Sequence, residues 1–151
     1  MNTADAPDRL LLDYRLDSGV AVVKVTGEVD VSTSSSLRNG LLRVITDENH
    51  HGLVVNLASV SFLDSTGVGV LVGIWHRVCA TRGCLALAAP SRQVRGVLET
   101  TGLTKVLPIY DTEAAAVQAC REPAEVAARQ TARTSRLQVG SGAEDVRQAR
   151  S

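Results

Sequence analysis

The segment FLDSTGVGV, Phe62 to Val70, sets an acid and two hydroxyls directly ahead of an apolar run. A serine placed this way has three possible uses: as a nucleophile, as part of a nucleotide loop, or as the group that is itself modified. Nucleophilic hydrolysis needs a base close to Ser65. A strand–turn–helix elbow would also read GxSxG, whereas the chain reads LDSTG. His76 lies further along the same predicted helix, roughly 16 Å away by helical rise. His50 and His51 precede the third predicted strand and belong to the opposite end of the sheet. All three histidines read most simply as solvated or structural. A phosphate-cradling loop would need GxxxxGK[ST], and no lysine occurs between Lys24 and Lys105. No His, Cys or carboxylate spacing suggests a metal site. Catalysis by this chain is not expected, and neither a cofactor nor a metal is implied.

The remaining use makes Ser65 a substrate. On position alone, capping is the simplest role for any one of these hydroxyls, because Asp, Ser and Thr are the usual N-cap residues. The two roles are compatible. A phosphoryl group on Ser65 would add about −1.5 to −2 charges at pH 7. It would sit beside Asp64, and beside Asp30 if the two acids converge. Taken separately, spacing gives each acid only an ordinary capping or surface role. The helix N-terminus would offset part of the new charge. A docked partner would meet bulk and repulsion, which makes a binding switch without refolding. Gly67, Gly69 and Gly73 each cost the helix roughly 1 kcal/mol relative to Ala. Close helix–strand packing and a docking surface explain them equally well.

The elements that hold this segment emerge from periodicity. Leu10, Leu12, Tyr14 and Leu16 alternate with Leu11, Asp13 and Arg15, the period of a strand with one face buried, and DSG at 17–19 turns the chain into VAVVKVTG. After GEVD the run STSSS offers several N-caps for a helix carrying Leu37, Leu41, Val44 and Ile45. That helix fades in TDENHHG, with Gly52 as its stop. LVVNL at 53–57 is a buried strand, and a loop through Phe62 leads to the helix that starts near Ser65. Val68, Leu71, Val72, Trp75, Val78 and Cys79 form its apolar face. LALAA is a further strand. Pro90 and Ser91 open a helix with Val94, Val97 and Leu98 inward and Gly102 as its stop. KVLPIY is a short edge strand, and Asp111 caps a last helix. The fold class is α/β: an N-terminal β-hairpin joined to a mixed, largely parallel sheet of about five strands with about four helices.

Composition limits the rest. With 44% hydrophobic but only 3% aromatic residues, the core must be built from Val, Leu, Ile and Ala. Sixteen basic and sixteen acidic residues cancel, which argues against nucleic acid or a membrane surface as a partner held by net charge. All the basic residues except Lys24 and Lys105 are arginines, a compositional bias rather than a site. Cys79, Cys84 and Cys120 show no CxxC pattern and read as small core or surface residues in a reducing cytosol. The first ten residues lack the basic and apolar regions of a secretory signal, and VGVLVGIW is too short to span a bilayer. A cytoplasmic location is expected. Residues 1–8 read as flexible, 9–120 as the domain and 121–151 as a flexible tail, since the tail has too few bulky apolar residues to offset its ordering entropy.

Four segments, VTGEVDVSTSSSLR, LVVNLASVSFLDSTGVGVLVG, RGCLALAAPSRQVRGVLETTGL and LPIYDTEAAAV, together resemble the STAS domain of the anti-sigma factor antagonist family. The match runs in order from about Leu10 to Cys120. DSTGVGVLVG is its most specific part, supported by GEVD upstream and ETTGL downstream. The resemblance implies partner switching. An unphosphorylated antagonist binds an anti-sigma factor that is also a serine kinase of GHKL type, and so frees a sigma factor. The kinase uses ATP to phosphorylate the antagonist, which dissociates, and a PP2C-type phosphatase restores it. The implied acceptor is Ser65, with Thr66 the weaker candidate. Asp30 of GEVD matches a family residue near the acceptor, with a role in orienting the site or contacting the kinase. Asp64, Gly67 and Gly69 complete the implied contact set. The chain departs from relatives in the serine run after Asp30, where Ala or Pro is frequent, in the loop TDENHHG and in the tail. A second function remains open from the same resemblance: a STAS scaffold or soluble subunit of a sensory or lipid-transport complex, without a serine switch.

Overall fold

The computed structural model describes residues 10–46 and 52–121. Expectations for residues 1–8, for most of the TDENHHG loop with His50 and His51, and for the tail beyond Arg121 lie outside these residues.

Strands β1 (Leu11–Asp17) and β2 (Val20–Val29) form the expected hairpin. Its two-residue turn, Ser18 and Gly19, has positive φ at both positions (56° and 83°). That is the turn whose twist matches two right-twisted strands. Strands β3 (Gly52–Leu63), β4 (Cys84–Ala88) and β5 (Ile109–Tyr110) then add in parallel, giving the spatial order β1-β2-β3-β4-β5. Each parallel connection steps one strand in the same direction. Right-handed crossovers therefore place α1 (Ser34–Ile45), α2 (Ser65–Ala80) and α3 (Arg92–Thr100) on one face of the sheet. The main core lies beneath them, with Val23, Val25, Leu53, Val55 and Leu87 of the sheet meeting Leu37, Leu41, Leu71, Ile74, Val94 and Leu98. Helix α4 (Glu113–Arg121) covers the other face through Ala116, Val117 and Cys120, packed on Val20, Val22, Val54, Ala86 and Ala88.

Several local expectations need correction. Gly52 is not a helix stop but the first residue of β3. A Cβ there would lie 2.9 Å from that of Cys120, so α4 approaches the strand where only glycine fits. The predicted loop through Phe62 is strand: β3 continues to Leu63, paired with the second half of β2 across two register irregularities. Ala58, Ser61 and Phe62 are exposed there, which hides the strand from any reading based on apolar runs. On α2 the buried residues include Ile74, whereas Cys79 is exposed. Strand β5 is only two residues long, because a 3-10 turn (Leu103–Lys105) occupies the start of KVLPIY. Asp111 pairs with Arg95 at 2.9 Å, and the Thr112 hydroxyl instead accepts from the N–H of Ala115 in the first turn of α4.

The cysteines also differ from expectation. Cys84 and Cys120 form a disulfide, with Cα atoms 5.6 Å apart and a sequence separation of 36. The pairing joins the first residue of β4 to the last turn of α4. The N-terminal end of α4 is held separately. The Glu113 carboxylate accepts from Arg15 of β1 and, at 2.6 Å, from the side-chain amide of Asn56 of β3. The arginine's hydrogen bond comes first among the effects that hold the Glu113 carboxyl below the usual glutamate range.

Candidate functional site

Val29 and Leu63 are partners in the parallel β2–β3 ladder, so Asp30 and Asp64 are the next residues on two adjacent strands, which lie about 4.8 Å apart. The N–H of Asp64 donates to the carbonyl of Val29 at 3.2 Å, which carries the pairing one residue past the strand. The two acids that the sequence left as separate capping residues thus stand side by side at the carboxyl edge of the sheet. In open α/β sheets this edge is where sites form.

Asp64 is the N-cap of α2. Its Oδ1 accepts from the N–H of Thr66 (3.0 Å) and of Gly67 (3.3 Å), and also from the Thr66 hydroxyl. Ser65 is the first residue of the helix, and its side chain is exposed. Among the described residues nothing hydrogen-bonds its Oγ. The two adjacent hydroxyls are therefore in different states: that of Thr66 is bound to the capping carboxylate, and that of Ser65 is free. Capping and availability fall to different residues. Ser65 stands at the positive end of the α2 dipole, which favours an anion, although Asp64 already takes the N–H groups of Thr66 and Gly67.

The turn after β2 is built on Asp30. Its Oδ1 accepts from the N–H and hydroxyl of Ser32 (2.9 and 2.7 Å) and from the N–H of Thr33 (3.2 Å). The Ser32 hydroxyl leads the contacts that hold the Asp30 carboxyl below the usual aspartate range. Thr33, buried at 5% exposure, donates its hydroxyl to the carbonyl of Glu28 (2.7 Å) and accepts from the N–H of Asp30 (3.0 Å). Although Thr33 occupies the N-cap position of α1, its side chain makes no cap bond. Ser32 and Thr33 thus form a turn folded around Asp30, and Ser34 to Ser36 open α1, rather than the set of N-caps expected from STSSS.

The glycines of α2 divide. A Cβ at Gly67 would lie 2.4 Å from Leu63 Cδ1 and 2.6 Å from Val29 Cγ1, both buried, so Gly67 is required by packing. At Gly69 and Gly73 a Cβ would meet nothing within 4 Å. Ser65, Gly69 and Gly73 recur at every fourth residue along one exposed stripe of the helix. Packing therefore explains the first glycine and not the other two. Between the start of α2 and α3 lies an open groove of about 480 Å³, lined by Phe62, Ser65, Gln93, Gly96, Val97 and Thr100 among others. Phe62 and, after Asp30, Val31 are exposed at 39% and 75%, apolar side chains left at the acids' end of the sheet.

The His76 ring lies tilted by 50° against that of its neighbour Trp75, with centroids 5.1 Å apart. No cluster of three or more His, Cys, Asp or Glu able to hold a metal occurs among the described residues. No helix among them is long and apolar enough to cross a membrane. Sequence reasoning missed Thr33 and Gln93. The first is one threonine in a run of serines and the second an amide in the first turn of a helix, and nothing in either position announces its main-chain partner.

The family model of the STAS domain matches residues 12–116. An anti-sigma F factor antagonist of Paenibacillus polymyxa is 32% identical over 104 residues, covering 69% of this chain and 89% of that protein. The chain belongs to the STAS-domain anti-sigma factor antagonist family. A solved antagonist from Mycobacterium paratuberculosis superposes on this STAS domain with a TM-score of 0.71 at 31% identity, covering 77% of this chain and 97% of that one. The phosphorylated form of SpoIIAA, a cell fate determinant of Bacillus, gives 0.56 at 25% identity, covering 72% and 97%. The STAS fold is thus the α/β arrangement expected from periodicity, with its mixed five-stranded sheet.

Proposed function

We propose that the protein is an anti-sigma factor antagonist switched by phosphorylation of Ser65. Unphosphorylated, it binds an anti-sigma factor that is a GHKL-type serine kinase and so releases a sigma factor in the cytoplasm. In the transfer, Ser65 Oγ bonds to the γ-phosphorus of ATP while the bond from that phosphorus to the β–γ bridging oxygen breaks. ADP leaves with the electron pair, and the hydroxyl proton passes to a base on the kinase. A PP2C-type phosphatase hydrolyses the ester and restores the serine. The chain contributes no catalytic group; ATP is the kinase's substrate.

The observation that carries this reading is the free, exposed Ser65 hydroxyl beside a Thr66 hydroxyl already bound to Asp64. The geometry also accounts for the switch. New negative charge at Ser65 is stabilised by the N-terminus of α2, so the fold persists. The same charge stands beside Asp64 and Asp30, and the local field becomes strongly negative. A partner seated over Phe62, Val31 and the open stripe of Gly69 and Gly73 would be repelled. That a similar protein of Bacillus exists in a phosphorylated form is consistent with this use of the edge.

The test is to incubate the chain with purified candidate kinases and ATP and to map the product by mass. Phosphate on Ser65, absent in Ser65→Ala and not transferred to Thr66, is the expected result. Calorimetry against the kinase should show Ser65→Ala binding like the unmodified chain and Ser65→Asp about a hundredfold weaker, the scale of a like-charge contact. Equal affinity of all three forms would refute the switch.

A further inference from the structure

Strand β4 pairs with β3 only as far as Asn56 and Ala88. Beyond that point the edge of β3 that faces α3 has no strand beside it. Leu63 is the last residue of β3, and its neighbour Asp64 donates in the opposite direction, to Val29 of β2. The main-chain groups of Leu63 therefore point toward α3, where Gln93 meets them. Its Oε1 accepts from the Leu63 N–H at 3.1 Å, and its Nε2 donates to the Leu63 carbonyl at 3.3 Å. A primary amide offers a donor and an acceptor on one planar group, so it can stand in for the missing strand's peptide unit.

These two bonds fix a residue two positions before Ser65. The serine hydroxyl has no tether of its own, so its place depends on the main chain leading into it. Asp64 holds that chain from the helix side, through the N–H groups of Thr66 and Gly67. Val29 holds it from β2, and Gln93 holds it from α3. Gln93 also lines the groove that opens beside Ser65, so a protein seated there meets the residue that secures the strand end.

We propose that Gln93 is a positioning residue for phosphorylation, setting the rate at which Ser65 accepts a phosphoryl group by fixing the pivot at Leu63. The proposal rests on the reading of Ser65 as the acceptor. The chemistry of the transfer is unchanged; what Gln93 supplies is the alignment of oxygen and phosphorus, which decays steeply with small displacements.

The discriminating variants are Gln93→Met, which keeps length and helix propensity but neither hydrogen bond, and Gln93→Glu, which keeps an acceptor for Leu63 N–H and loses the donor. Amide hydrogen exchange on the isolated full chain is the first measurement. Gln93→Met should speed exchange about tenfold or more at Leu63 and at the capped amides of Thr66 and Gly67, leaving the amides of β2 before Lys24 unchanged. The second uses a purified GHKL-type serine kinase that modifies the unaltered chain. Gln93→Met should lower kcat about tenfold with KM for the antagonist within about twofold, and Gln93→Glu should fall between. Unchanged exchange around Leu63 overturns the proposal whatever the kinase does. Faster exchange with unchanged kcat also overturns it. A rise in KM alone would make Gln93 a docking contact and overturn the positioning role. If no kinase modifies Ser65 in the unaltered chain, the switch itself fails, and the exchange arm still decides whether Gln93 holds the pivot.

Discussion

At the end of β2, Asp30 draws in the hydroxyl and N–H of Ser32, and Thr33 is sealed beneath them against the carbonyl of Glu28. At the end of β3, one strand away, Asp64 draws in the hydroxyl of Thr66 and leaves that of Ser65 in solvent. The ingredients are nearly the same, an acid ahead of hydroxyls at the mouth of a helix. The difference lies in how soon the helix begins. After Asp30 the chain makes a turn before α1 starts at Ser34, so there is room for the hydroxyls to fold back. After Asp64 the helix starts at once, and Ser65 as its first residue projects outward. Similar residue types thus give a closed turn in one place and a presented group in the other.

The largest effect that should separate the two turns is on stability. Thr33→Val leaves the Asp30 N–H and the Glu28 carbonyl without their partner in a buried position, and should cost about 1–3 kcal/mol in urea unfolding. Ser65→Ala should change the same unfolding free energy by less than about 0.5 kcal/mol, because nothing is lost from the folded state. Comparable costs for the two would erase the distinction. The glycines sharpen it next. Gly67→Ala forces a methyl against Leu63 and Val29 and should destabilise by about 1–3 kcal/mol. Gly69→Ala, with open space around it, should stabilise by up to about 1 kcal/mol while weakening partner binding. Asp64→Ala removes the cap of α2 and should cost about 1 kcal/mol, read from the thermal midpoint.

The smallest effect is that of pH. The Asp30 carboxyl sits below its ordinary value of 3.8 in the folded chain, chiefly through the Ser32 hydroxyl. A depressed carboxyl contributes stability above its unfolded value and loses it as pH falls through the folded one. Asp30→Asn should therefore be less stable than the parent at neutral pH, with the gap closing on acidification below about 4. A gap that stays constant down to pH 2 would show that the charge on Asp30 has no part in the turn.

How much was legible depended on whether the signal was local. The hairpin could be read from alternation and a DSG turn, and α3 from Ser91 and Gly102, because strand period, caps and a left-handed glycine (φ 79°) leave marks in a few consecutive residues. The position of Ser65 at the start of a helix was legible for the same reason. The second half of β3 was not, since the register irregularities break its period of two: Leu57, Val60 and Leu63 are buried three residues apart, with Ala58, Ser61 and Phe62 exposed between them. The disulfide was equally hidden. Cys84 and Cys120 meet only because α4 crosses back over the start of β4, and nothing in their spacing announces that crossing. Gln93 carries no mark at all, because its partner is main chain contributed by a different element.

Residue order alone was enough for the elements, the apolar faces that must be buried and the acid–serine–threonine order at one helix start, because these depend on period and on contacts within a few residues. Only the folded chain settled which hydroxyl is free, that two acids thirty-four positions apart stand together, and that an amide from a later helix braces the strand end between them. Those outcomes depend on how adjacent strands end in register and on where one strand stops short of its neighbour, quantities set by packing the whole sheet and not by any one stretch of chain.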